Sequence, residues 1–157
     1  MDRVEIPTNF TTSSSEPTVV DQHNPTIKAV LQGQQVNNCI IDGSSRLNVS
    51  NKAMCSHLGI TEWEACPFWL RMVDTHSVRP LGLVRKLRIV IGGHTFEIST
   101  VVLALDTLEA YPILLGRPWL LSSNMKQNWQ HNYISFRRDR SKVQVPTQEK
   151  PPPPRKQ

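Results

Sequence analysis

The fold is decided by an apolar run that ends in one acidic residue and a turn, Asn38-Cys39-Ile40-Ile41-Asp42-Gly43-Ser44-Ser45. The apolar residues predict a buried β-strand, and the Gly-Ser-Ser that follows predicts a tight turn. Asp42 is therefore expected at the edge of the core, where a carboxylate can do chemistry. An Asp that only caps a turn gives the same pattern, because Asp is favoured in turns for purely local reasons.

A second apolar strand occurs later in the chain and also ends in glycine. It comprises Tyr111 to Leu115, with Gly116 and Arg117 directly after it. Proline is favoured in the first turn of a helix, so Pro118 predicts a short helix over Pro118 to Ser122. The chain thus contains two strand ends, one carrying an Asp and the other a Gly-Arg pair.

Apolar residues in alternation predict two β-hairpins. The first consists of Thr26–Leu31 and Val36–Ile41, and its second strand leads to Asp42. The second consists of Leu81–Ile91 and His94–Leu105, joined by a Gly-Gly turn. Both hairpins indicate antiparallel pairing.

One short helix is predicted between the hairpins. Ser50 fits an N-cap, Asn51–Leu58 the helix and Gly59 its stop. Near the C-terminus, Tyr133–Phe136 predicts a further strand, which Val143–Val145 is expected to extend. Many short strands with one or two short helices indicate an all-β architecture, a small closed barrel.

The two strand-end motifs together resemble those of the retropepsin-like aspartic proteases. The similarity is greatest to the protease segment of plant gypsy-type retrotransposon polyproteins, and it covers roughly Thr26 to Phe136. It implies a retropepsin-like barrel with aspartic-type endopeptidase activity. In that case Asp42 is the catalytic residue, within an active-site loop that continues through Gly43, Ser44 and Ser45. The residues implied to support this loop from the second motif are Leu114, Leu115, Gly116 and Arg117.

Hydrolysis by an aspartic protease uses two carboxylates that share one proton. This chain offers one Asp in the right context, since Asp74 and Asp106 lack a following Gly and are interpreted as loop residues. The resemblance implies a homodimer, in which a twofold axis pairs Asp42 with its own copy. An extended peptide or polyprotein substrate would then bind beneath a mobile flap, which the resemblance places within residues 61–80.

The active-site loop departs from the pattern of the resembled family at two positions. The family has Ser or Thr and then Gly after the Asp, whereas this chain has Gly43 and then Ser44; plant relatives often share the first change. A side chain at Ser44 costs little at negative φ and about 1–2 kcal/mol at positive φ. Arg46 adds a cation that favours ionised carboxylates over a shared proton. A relic of the fold, which dimerises or binds peptides without hydrolysis, therefore stays open as the alternative.

The polar ends of the chain predict a division into three parts. Residues 1–25 are expected to be a flexible linker, 26–145 the protease-like domain and 146–157 a Pro-rich basic tail. Much of the net charge of +5 lies in Arg137–Lys142 and Arg155-Lys156. We interpret these cations as a solvated exit from the domain; a nucleic-acid-binding fragment is a third possibility, but nucleic acid is not the expected partner.

The cysteines and the hydropathy pattern predict the cellular setting. Three cysteines that are widely spaced predict reduced thiols rather than a disulfide framework. No apolar run approaches the roughly 18 residues of a membrane span, and the N-terminus lacks the pattern of a signal peptide. A cytoplasmic protein without membrane contact, metal or cofactor is the expectation.

Overall fold

The computed structural model describes residues 3–5, 24–71, 77–104 and 113–150. Within these ranges the chain forms short β-strands and two short α-helices. The strands are β1 Arg3–Glu5, β2 Asn24–Leu31, β3 Gln34–Ile41, β4 Val49–Asn51, β5 Trp69–Arg71, β6 Ser77–Val78, β7 Gly82–Ile91, β8 His94–Leu103, β9 Ile113–Leu115, β10 Lys126–Asn128, β11 Tyr133–Arg138, β12 Ser141–Pro146 and β13 Gln148–Lys150; the helices are α1 Lys52–His57 and α2 Arg117–Ser123.

Six strands close a barrel in the order β2-β3-β9-β4-β8-β7. The barrel closes because β7 pairs back onto β2, with Val30 opposite Val90 and Leu31 opposite Ile89. Strand β13 adds to the outer edge of β2. The predicted all-β class and small closed barrel with short helices are confirmed.

Both predicted hairpins are confirmed, and glycine is needed at their turns. Gly33 joins β2 to β3 with φ of +75°, and Gly92 and Gly93 join β7 to β8 with φ of +58° and +80°. These left-handed conformations favour residues without a Cβ. The β7–β8 register then places Ile89 opposite Phe96, both in the core.

An aromatic cluster ties α2 and the C-terminal strands to the barrel. Phe96, Trp119 and Phe136 pack edge-to-face with ring centroids 5.4 to 6.3 Å apart. Each such pair contributes about 0.5–1.5 kcal/mol beyond its buried area. Trp119 is only 1% exposed, so the first turn of α2 is held firmly against the barrel wall.

Two details of the predicted secondary structure are wrong. The N-cap of α1 is Asn51, whose side-chain oxygen accepts from Met54 N at 2.6 Å; Ser50 instead belongs to β4 and donates to Val101 O. The Val143–Val145 segment does not extend β11, because a turn at Asp139 and Arg140 folds it back as the antiparallel strand β12.

The cations of Arg137–Lys142 are part of the folded structure, whereas Arg155 and Lys156 lie outside the described residues. Strands β10, β11 and β12 form an antiparallel meander that includes Arg137 and Lys142, so the interpretation of this segment as a solvated exit is wrong. The division into linker, domain and tail stays a prediction, although Arg3–Glu5 and Gln148–Lys150 are strands. Asp74, Asp106, Tyr111 and the proline run 151–154 lie outside the described residues.

Candidate active site

The fold brings the two strand-end motifs together at neighbouring positions. Strands β3 and β9 run parallel, with Ile41 paired to Leu115. The segments that follow the two strands therefore leave the barrel at the same end. The backbone N–H of Asp42 donates to Leu115 O at 3.0 Å. Leu114 and Leu115 are fully buried and form the floor beneath this junction.

The carboxylate of Asp42 is buried, and one of its two oxygens accepts hydrogen bonds. Its Oδ1 accepts from the backbone N–H of Ser44 at 3.0 Å and from the Ser44 hydroxyl at 2.6 Å. Its Oδ2 finds no partner among the described residues, although the side chain is only 4% exposed. A buried polar atom without a partner costs about 1–3 kcal/mol, so such atoms are rare outside functional sites.

The backbone at Ser44 is unstrained. The non-glycine residues of the described ranges with positive φ do not include Ser44, so the side chain that stands in place of the family's Gly carries no left-handed penalty. Its N–H still supports the carboxylate, and its hydroxyl adds a second donor. Arg46 is exposed.

The second motif holds the active-site loop by close backbone contact. Arg117 N donates to Ser45 O at 2.8 Å. A Cβ built on Gly116 would overlap Leu47 O and lie 2.7 Å from Ser45 O, so only glycine fits between the two segments. Arg117 also donates from its Nε to Gly43 O at 3.0 Å, so its exposed side chain spans from α2 to the turn.

Asn48 is a structural residue of the site that sequence reasoning missed. It is 3% exposed, accepts from Gly116 N at 2.9 Å and donates from Nδ2 to Ser99 O at 3.0 Å. It therefore joins the active-site loop, the second motif and β8. The signal available in the sequence was a polar residue between two apolar ones, Leu47 and Val49.

A two-stranded hairpin lies in the segment where the flap was expected, and a cavity lies close to the active-site loop. Strand β5 pairs antiparallel with β6, and the exposed ring of Trp69 has the Arg79 guanidinium 5.8 Å from its centroid. A cavity of about 320 Å³ opens beside the loop. Its apolar lining includes Leu47, Phe68, Leu83, Val101 and Trp119.

The described residues lack the features of a metal site and of a membrane-spanning helix. In those ranges, no three His, Cys, Asp or Glu side chains gather as a metal site requires. No helix among them is long and apolar enough to cross a membrane. All three cysteines are buried and free; burial raises the pKa of the Cys39 thiol to about 12, and burial raises that of Cys55 against a lowering hydrogen bond from Ser50.

Comparison with known proteins gives a match at the level of structure. No protein-family profile and no curated protein sequence matches the chain. Among solved structures, the crystal structure of the retroviral protease-like domain of Ddi1 from Leishmania major aligns with a TM-score of 0.62. The alignment covers 80% of this chain and 96% of that one at 14% sequence identity. This likeness establishes the fold, and the chain therefore has the retropepsin-like fold.

Proposed function

We propose that the chain is an aspartic endopeptidase of the retrotransposon type, active as a homodimer with Asp42 from each protomer. The observation that carries this proposal is the buried Asp42 carboxylate, whose Oδ2 has no partner among the described residues. A twofold axis beside this oxygen would place two carboxylates within reach of each other. Two such groups about 3 Å apart cannot both ionise, so they share a proton.

In the proposed reaction, the two carboxylates divide the work. The ionised carboxylate takes a proton from a water molecule as that water attacks the peptide carbonyl carbon. The protonated carboxylate of the partner protomer donates to the carbonyl oxygen, which gives a neutral gem-diol. When this gem-diol collapses, the C–N bond breaks, the amine nitrogen takes the proton that the first carboxylate removed from water, and a gem-diol hydroxyl returns a proton to the other carboxylate. Oδ1, which Ser44 already engages, fixes the orientation of the group, while Oδ2 is free to face the reaction.

An extended peptide is the substrate class that the surroundings favour. The cavity of about 320 Å³ beside Leu47 has mainly apolar walls with several polar residues, Glu97 among them. The hairpin of β5 and β6 lies in the segment where the resembled family has its flap. A peptide between the two would add main-chain hydrogen bonds as an extra strand.

The retrotransposon origin and the cytoplasmic setting belong to the same proposal. The origin rests on Asp42-Gly43, on the helix that ends at Leu58-Gly59, and on Leu115-Gly116-Arg117, which occur in the order typical of plant gypsy-type elements. Three buried, unpaired thiols support a reducing compartment.

The test is peptide cleavage by the unchanged chain beside Asp42→Asn, at about pH 4–6, where a dyad that needs one proton is favoured. Asp139→Asn is the matched control, because Asp139 lies in an exposed turn away from the loop. We expect cleavage by the unchanged chain and by the control, inhibition by a transition-state mimic, and loss of at least about 10³-fold in Asp42→Asn. Cleavage that survives Asp42→Asn would refute the assignment.

One observation favours the second candidate, a relic that dimerises or binds peptides without hydrolysis. The Ser44 hydroxyl donates to Asp42 Oδ1, a bond that a Gly at this position could not make. The relic predicts a dimer by sedimentation without cleavage. Because the backbone at Ser44 is unstrained, Ser44→Gly and Ser44→Ala remove the hydroxyl without relieving strain, and recovery of cleavage in both would identify the hydroxyl as the block.

A further inference from the structure

The outward face of the C-terminal meander contains a second pocket, remote in sequence from the active-site loop. The pairing register sets Lys126 opposite Ser135 and Arg137 opposite Lys142. Ser135 and Arg137 are two residues apart on β11, so all four side chains share one face. Together with Ser123 and Asn124 at the end of α2, they line a cavity of about 250 Å³.

The three cations of this pocket have no anionic partner within the described part of the chain. The lining contains no Asp or Glu, and the ion pair found elsewhere joins Arg85 to Glu64 on the barrel. Like charges directly opposite each other on adjacent strands are destabilising. The direct Arg137–Lys142 pair is therefore a cost to the fold that a bound anion would remove.

The neighbouring charges do not neutralise the pocket. Arg138 points to the other face of β11, where it donates to Thr95 O and covers the Phe96 ring. Asp139 and Arg140 form the exposed turn between β11 and β12 and are absent from the lining. The positive charges of the three cations that line the pocket are therefore not neutralised by neighbouring side chains.

A hydroxyl in the lining of the pocket is the second observation. Ser135 is 9% exposed, and its hydroxyl makes no hydrogen bond with any described residue. A ligand can therefore accept a hydrogen bond from it without breaking one within the protein. Here the donor lines the same cavity as the three cations.

We propose that this pocket binds a phosphate group. Three cations suit a group that carries up to two negative charges, and Arg137 can present a planar pair of donors to its oxygens. The Ser135 hydroxyl supplies a directional neutral donor. The group could belong to a small phosphorylated molecule or to the backbone of a single-stranded nucleic acid, and the experiment separates these two sources.

The first arm measures binding of pyrophosphate by calorimetry and of a short fluorescein-labelled oligouridylate by anisotropy. The Lys142→Gln variant is compared with Lys28→Gln, which removes the same charge from an exposed site on β2. We expect about tenfold weaker binding in Lys142→Gln and no change in Lys28→Gln. If the ligand is a single-stranded backbone, log K falls with log salt at a slope of about −2 for three contacts, and Lys142→Gln reduces the slope by about 0.7.

The second arm uses Ser135→Ala, which leaves the net charge unchanged. We expect about five- to tenfold weaker binding, while the free energy of unfolding does not fall because the hydroxyl makes no bond in the empty pocket. Binding of pyrophosphate alone would assign a small phosphorylated ligand, and salt-dependent oligouridylate binding a nucleic-acid backbone. Binding of neither probe, or equal weakening by Lys28→Gln and Lys142→Gln, would overturn the proposal.

Discussion

The substitution Gly116→Ala tests whether close backbone contact positions the active-site loop. A methyl group at this position would overlap Leu47 O and lie 2.7 Å from Ser45 O, whereas carbon–oxygen contacts are normally above 3 Å. The obstacle is backbone on both sides, so it cannot rotate away. At φ of −98° the alanine itself is unstrained, and without the overlap the change would stabilise the fold by about 0.4–1 kcal/mol.

The expected magnitude follows from two losses. Overpacking of a well-packed site costs about 1–3 kcal/mol, and a shift of the loop would also break the hydrogen bond from Gly116 N to Asn48, worth about 1 kcal/mol. We therefore expect the free energy of unfolding to fall by about 2–4 kcal/mol. With an m-value of about 2 kcal/mol/M, the urea midpoint should fall by about 1–2 M. Any cleavage activity should fall about 10²-fold, since an error of about 1 Å displaces Asp42.

Gly43→Ala is the matched control for this experiment. It changes glycine to alanine in the same loop, but the built Cβ meets only Leu120 Cδ2 at 3.5 Å, an ordinary contact. Its free energy of unfolding should stay within about 0.5 kcal/mol of that of the unchanged chain. Measurement at two protein concentrations separates loop stability from any dimer contribution. Equal stability of Gly116→Ala and Gly43→Ala would contradict the packing argument.

Three further predictions concern the same region and the core. Asn48→Leu should lower the free energy of unfolding by about 2–4 kcal/mol, measured by urea, because the buried Gly116 N–H and the Ser99 carbonyl lose their hydrogen bonds. Above pH 9 the unfolded state releases the Cys39 proton while the folded state, with a pKa of about 12, retains it. Stability should therefore fall by up to about 1.4 kcal/mol per pH unit between these values, less steeply in Cys39→Ala; a parallel slope would contradict this. Gly43→Thr should tighten a dimer about tenfold in sedimentation if its hydroxyl bridges the loops, and unchanged association would count against that geometry.

The barrel could be predicted from the sequence because its signals are local. Strands β7 and β8 alternate apolar and polar residues on either side of a Gly-Gly turn, and the pairing observed follows from that pattern. The strand that precedes Asp42 ends in a turn, which Gly43 and Ser44 predict. Periodicity and turn chemistry act within a few residues, so one sequence suffices to read them.

The site details that escaped prediction depend on contacts between distant segments. Asn48 has no local feature that reveals its bonds to Gly116 and Ser99, which are brought to it by the barrel. Ser50 is of a residue type that favours the N-cap, but β4 continues through Ser50 and ends at Asn51. The helix therefore begins one residue later than predicted, and Asn51 is its N-cap. The strand pairing of Arg137–Lys142 escaped prediction for the same reason, because the charge pattern alone does not reveal strand partners.

The contacts described for the active-site loop all join residues of one chain. Leu115 O accepts from Asp42 N, Arg117 donates to Gly43 O, and Gly116 N–H binds Asn48. The loop is thus ordered before any partner arrives, so dimerisation need not supply the free energy that ordering a loop would cost. Under the proposed function, the concentration dependence of cleavage should then report association alone. By the same argument, a chain that lost hydrolysis through a single loop substitution would retain its fold and the ordered loop that it contributes to the proposed dimeric site.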